Sequence, residues 1–155
     1  KSIHGIIIPG GFGTTGIENM LSYIQTYRET TNYISVLVKP EYLHNQSEPS
    51  DNHFIWAYHV HIENTGKTNV QVLARHWKIT DIKGHSHEIV GDGLVGKQPI
   101  LRPGKVFQYS SGTPLSTSSG FMSGTFLLIS EDGKLFNVIV PSFSLDSPLS
   151  NGPLH

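Results

Sequence analysis

Residues 54–62 read Phe-Ile-Trp-Ala-Tyr-His-Val-His-Ile, with a large apolar side chain at every second position. Phe54, Trp56, Tyr58, Val60 and Ile62 therefore share one face of an extended strand, and Ile55, Ala57, His59 and His61 share the other. The first set is expected to face a core, the second to include a solvated face. The same two-residue period continues outward, which predicts strands at Tyr33 to Lys39, Val70 to Asp81, His87 to Val90, Val106 to Ser110, Phe121 to Ile129 and Leu135 to Val140. Glu63-Asn64-Thr65-Gly66, Ile82-Lys83-Gly84, Arg102-Pro103-Gly104 and Glu131-Asp132-Gly133 separate them, each rich in residues that preset a turn or tolerate positive φ. Short strands at this spacing imply an all-β sandwich.

A chain of 155 residues is long enough to bury one core without covalent staples. Its 11 Lys and Arg against 12 Asp and Glu give a formal charge of -1, so nucleic-acid binding through a basic surface is not expected. With no cysteine, thiolate catalysis, Cys-based metal sites and disulfides are excluded, which suits a reducing cytoplasm. No apolar stretch reaches the roughly 20 residues that a membrane-spanning helix needs. A cytoplasmic location is expected. The chain opens on Lys1 instead of Met, which suggests a processed product or a piece of a longer protein.

The first 32 residues follow a different pattern. Ile6-Ile7-Ile8 predicts a short strand, Pro9 to Gly13 a glycine loop, and Gly16 to Arg28 a helix with Ile17, Met20, Leu21, Ile24 and Tyr27 on one face. We expect this strand, loop and helix to be an extension, not an independent domain, with the sandwich starting at residue 33.

Leu73-Ala74-Arg75-His76-Trp77-Lys78-Ile79-Thr80-Asp81, then Gly91-Asp92-Gly93-Leu94-Val95-Gly96-Lys97-Gln98-Pro99, closely resembles the ApaG family. Arg102-Pro103-Gly104, Phe107 to Gly112, Ser119 to Gly124 and Val140 to Leu145 follow in that family's order. The resemblance covers residues 33–155 and implies a sandwich of the fibronectin type III or immunoglobulin-like kind. The bacterial family takes its name from an operon shared with a diadenosine tetraphosphate hydrolase and has been linked to cobalt and magnesium tolerance. Similar animal domains sit in an F-box protein and a polymerase-delta-interacting protein, which implies an interaction module. Residues 6–16 instead resemble the oxyanion strand and loop of the CTP synthase amidotransferase domain. Without a cysteine they cannot carry that chemistry here, and an appended segment is the expected origin.

Gly91-x-Gly93-x-x-Gly96 has the letters of a dinucleotide fingerprint but no helix pattern after it, so a Rossmann site is not expected. Glycines required by a sharp bend or by tight strand packing are the first expectation for the loop. The functional alternative is a nest of backbone N–H groups for a phosphate or pyrophosphate anion at Gly91, Gly93 and Gly96, with Lys97 and Arg75 as cations. Arg75 could instead pair with Asp81 or Glu88. His59 with His61, and His85 with His87, are pairs two residues apart that would suit zinc, cobalt or nickel if the fold joined them. Trp56, Phe107, Tyr109, Phe121 and Phe143 are candidates for an aromatic surface, though core packing accounts for most alternating aromatics. No serine sits in a Gly-x-Ser-x-Gly elbow. The sequence thus points to a non-enzymatic module that binds a protein partner, with no cofactor and with edge strands that permit a homodimer. The alternative is a protein of nucleotide polyphosphate or divalent-metal homeostasis.

Overall fold

The computed structural model describes residues 26–148. Nine strands make up these residues: β1 Tyr27–Thr31, β2 Ile34–Tyr42, β3 Phe54–Asn64, β4 Val70–Asp81, β5 Ser86–Asp92, β6 Ile100–Leu101, β7 Val106–Leu115, β8 Ser119–Ser130 and β9 Leu135–Asp146. Two 3-10 turns, His44–Gln46 and Pro49–Asp51, lie between β2 and β3. The first sheet has the order β1-β2-β3-β7 and the second β5-β4-β8-β9, with β6 also beside β4. All pairings are antiparallel. The chain therefore leaves the first sheet after β3, builds β4 to β6 on the second, and returns with β7.

Proline positions agree with this order. A proline has no N–H for a ladder and belongs where one side of a strand is unpaired. Pro114 and Pro141 lie on the edge strands β7 and β9. Pro40 lies in β2 beyond Val38, the last β2 residue that β1 covers. Near the β1 edge the two sheets touch: the Ile139 N–H donates to Thr31 Oγ1 at 3.2 Å, and the rings of Tyr27 and Phe143 are 6.0 Å apart.

The space between the sheets is filled by apolar residues whose alternation the sequence shows. Val36, Val38, Trp56, Tyr58, Val60 and Ile62 from one sheet meet Val72, Trp77, Ile79, Phe126, Leu128, Val138 and Phe143 from the other. Trp77 is at the centre, with ring centroids 5.1 Å from Tyr58, 5.9 Å from Phe126 and 6.2 Å from Phe143. Position 124 must be glycine for this to happen: a Cβ there would lie 2.6 Å from the His76 carbonyl oxygen and 2.9 Å from the Trp77 ring.

Several expectations need correction. Tyr27 and Arg28 belong to a strand, not to the end of a helix, and β1 pairs with Ile34 to Val38 so that the sheet starts before residue 33. The remainder of the expected strand, loop and helix, residues 1–25, lies outside the described residues, as do residues 149–155. Strands β7 and β9 run well past Ser110 and Val140. The second face of β3 is not solvated: Ile55, Ala57 and His59 are buried.

Trp77→Ala is expected to cost about 3–5 kcal/mol, the usual range for removing a buried large aromatic. A denaturant titration would show it as a lower midpoint at nearly unchanged slope.

Candidate functional site

Strand β5 leads directly into the glycine loop. Gly91 is still in the strand, paired with Arg75 of β4. After Asp92 the chain turns sharply: the Leu94 N–H donates to Lys97 O at 2.6 Å and the Lys97 N–H donates back to Leu94 O at 3.1 Å. Val95 and Gly96 between them have φ of 50° and 82°, the signature of a type I′ hairpin turn. Gly93, with φ of 63°, donates its N–H to Leu73 O at 2.7 Å. A Cβ at Gly93 would fall 2.2 Å from the Lys97 carbonyl oxygen. The N–H groups of Leu94 and Lys97 are thus engaged inside the loop and that of Gly93 on β4, and no helix follows.

Arg75 faces this loop from beneath. Its Nη1 donates to Asp92 O at 2.9 Å and to Gly93 O at 3.0 Å. The guanidinium lies over Gly91, where a Cβ would come within 2.9 Å of Nη2. The expected partners Asp81 and Glu88 are used elsewhere. Glu88 accepts from His76 Nε2 at 2.6 Å, and Asp81 accepts from the N–H groups of Lys83 and His85. Arg75 and Trp77, two residues apart on β4, point to the same side of the sheet. Two phenols lie near: burial raises the Tyr58 pKa against the opposing Ser111 hydrogen bond and Arg75 charge, and burial aided by Tyr58 pushes Tyr109 well above its ordinary value against Arg75 and the Trp77 N–H. Both phenols are therefore neutral at neutral pH.

The histidine pairs are not brought together. His59 and His61 lie on β3 in the first sheet, and His87 lies on β5 in the second with His85 just before it. His59 is 1% exposed and takes part in a relay: its Nε2 donates to Glu41 Oε1 at 2.8 Å and its Nδ1 meets Ser110 Oγ at 2.6 Å. His61 bonds Gln108 across to β7. Among the described residues no group of three or more His, Asp or Glu is gathered as a metal site. Hydroxyl, imidazole and carboxylate follow in the order of a nucleophilic triad, but catalysis also needs N–H donors aimed at a developing oxyanion. The strand β3 that carries His59 is paired on both sides, by β2 and β7. The relay ties three strands together, β2 through Glu41, β3 through His59 and β7 through Ser110. Of the aromatic candidates, Trp56 and Phe143 are core, Phe107 and Tyr109 pack against it, and Phe121 is exposed.

Two clefts escaped the sequence reading because each is assembled from distant turns. One, of ≈ 460 Å³, lies where β3 begins and β4 ends, with Asp51, His53, Asp81, His85 and His87 in its lining. The other, of ≈ 580 Å³, lies at the opposite end and involves the β1–β2, β3–β4 and β8–β9 turns. Strand β5 was likewise underestimated: it is an edge strand with Val90 73% exposed.

Residues 44–130, which include β3 to β8, match the ApaG domain. The chain belongs to the ApaG domain family. It is 56% identical over 122 residues to Protein ApaG of Paramagnetospirillum magneticum, covering 79% of this chain and 94% of that protein. Protein ApaG of Parvibaculum lavamentivorans is 51% identical over 129 residues, covering 83% and 99%. The crystal structure of an ApaA protein from Bordetella pertussis has a TM-score of 0.72 at 43% identity, covering 78% of this chain and 95% of that one. These matches make the two-sheet sandwich a family property, and the names of the ApaG relatives indicate no catalytic activity.

Two predictions follow from the loop and the first cleft. Gly93→Ala is expected to destabilise by at least about 3 kcal/mol, since it adds a backbone clash to left-handed strain. Gly96→Ala, which meets open space, costs only about 1–2 kcal/mol from its positive φ; thermal melts of both variants separate the two. Asp81 sits below its ordinary pKa: partial burial raises it, but the His85 and Lys83 N–H groups and the His85 charge outweigh this. A carboxylate depressed in the folded state adds stability above its unfolded value and loses it as pH falls through the folded one. Stability of Asp81→Asn should accordingly decline less steeply than wild type below about pH 4.

Proposed function

We propose that this ApaG domain is a non-catalytic binding module that engages an extended segment of a protein partner along the free edge of β5. The observation that carries the reading is the character of that edge. Strand β5 pairs with β4 without register shift from Ser86 to Asp92 and contains no proline or lysine. Natural sheets usually blunt such edges with prolines, lysines or bulges because unpaired backbone groups invite another strand. The other long edges follow that rule, with Pro114 in β7 and Pro141 in β9. Strand addition to β5 would satisfy its outer backbone groups and cover Val90, with specificity from alternate side chains. The glycine loop then ends the docking edge, held in shape by Arg75.

A phosphate or pyrophosphate anion at the Gly91 to Gly96 loop is a narrower second form of this reading. What favours it is that the bonds from Arg75 to the loop carbonyls use Nη1 alone, while Lys97 is exposed on the same turn.

Peptides selected by display against the full chain, then mapped by NMR, test the first form. Shifts and amide protection are expected along residues 86–92, with Val90→Lys weakening binding about tenfold while the melting temperature holds. Binders that map to another face would overturn it. A pyrophosphate titration tests the second form: saturable shifts at the loop that vanish in Arg75→Ala and Lys97→Ala support it, and their absence removes it.

A further inference from the structure

The ≈ 580 Å³ cleft at the far end of the sandwich has the size of a small-molecule site and a lining of a particular kind. Its inner wall is apolar, with Ile34 and Val70 buried and Phe136 half-buried. Two cations, Lys67 and Lys134, line it, and no Asp or Glu does among the described residues. Two carboxylates of the β8–β9 turn are engaged within the protein: Glu131 accepts from the Asn69 N–H at 2.7 Å, and Asp132 accepts from Ser130 Oγ and from the Lys134 N–H.

Tyr33 lies at the mouth. It occupies the second central position of the two-residue β1–β2 turn, with φ of 66° after Asn32 at 48°, and it is 71% exposed. A bulky side chain is rare at positive φ, where this turn favours glycine. The strained tyrosine is held by its surroundings. Its carbonyl accepts from both the N–H and the hydroxyl of Thr65, at 2.8 and 2.7 Å. Its Cβ lies 3.2 Å from where a Cβ on Gly66 would be. The loop beneath is fixed by the buried Asn64, whose side-chain amide donates to Thr68 O and Leu101 O while its carbonyl accepts from the Gly66 N–H. A rigid, strained, exposed aromatic beside an apolar wall and two lysines contributes nothing evident to the core.

We infer that this end of the sandwich is a site for a small aromatic oxyanion, a flat ring bearing a phosphate, sulfonate or carboxylate. Tyr33 supplies the stacking face, Phe136 and Val70 the apolar wall, and Lys67 with Lys134 the charge. The site shares no residue with the β5 edge and stands independently of the proposal made for it.

Titration of the full chain with AMP and a naphthalene sulfonate, beside adenosine and inorganic phosphate as half-ligands, tests this by NMR shift. The two ring-bearing anions should perturb Tyr33, Lys67, Lys134 and Phe136 saturably, and bind at least about tenfold more tightly than either half-ligand. Tyr33→Gly should raise the melting temperature by releasing strain and yet weaken both about tenfold. The doubly substituted Lys67→Ala, Lys134→Ala chain should lose them. Phosphate binding as tightly as AMP, undiminished binding to Tyr33→Gly, or no saturable shift in the cleft would each overturn the inference.

Discussion

Trp77 can occupy the middle of the sandwich because the strand beside it carries no side chain at position 124. The indole lies against the backbone of β8, and the aromatic rings of Tyr58, Phe126 and Phe143 close around it. Gly124, Phe126 and Phe143 pack Trp77 within its own sheet, and its contact with Tyr58 of β3 crosses to the other. The Arg75 side chain, two residues earlier on the same side of the sheet, emerges beneath the glycine loop. The β8–β9 register shift next to Gly124 belongs to the same accommodation.

Much of this was legible in the sequence, for a physical reason: strands buried on one face write their burial as a two-residue period. The core face of β3 is legible residue by residue in this way. The second halves of β7 and β9 are not, because Ser110-Ser111-Gly112-Thr113-Pro114 and Pro141-Ser142 look like loop. At a sheet edge, with one side unpaired, such residues are tolerated. Strand β1 was hidden because Tyr-Arg-Glu-Thr-Thr has no alternating apolar pattern and Tyr27 continued a helical spacing.

The candidate sites were less legible. The glycine letters marked a sharp turn correctly, but whether the loop presents N–H groups or carbonyls depends on backbone orientation, which residue types do not encode. In the sequence His59 reads as a residue of a solvated face, with a metal pair as the alternative. Its partners Glu41 and Ser110 are 18 and 51 residues away, and only the register of β2, β3 and β7 brings them together. The surfaces that emerge instead, a bare edge and the cleft at Tyr33, belong to the periphery of the fold. The core holds them still, and the departures from ordinary strand and turn chemistry are concentrated there.

The return of β7 to the first sheet also bears on how the chain folds. Phe54 pairs with Leu115 and Glu63 with Val106, so the first sheet stays unfinished until the segment that makes β4 to β6 has been looped out and closed. Non-local pairing of this kind loses chain entropy before it gains contacts, and all-β sandwiches accordingly fold on the order of milliseconds to seconds. Until β7 arrives, β3 presents an eleven-residue strand, apolar over Phe54 to Tyr58, with one side unpaired. The closure of β7 onto β3 is one such non-local step, and it covers the side of β3 that is bare until then.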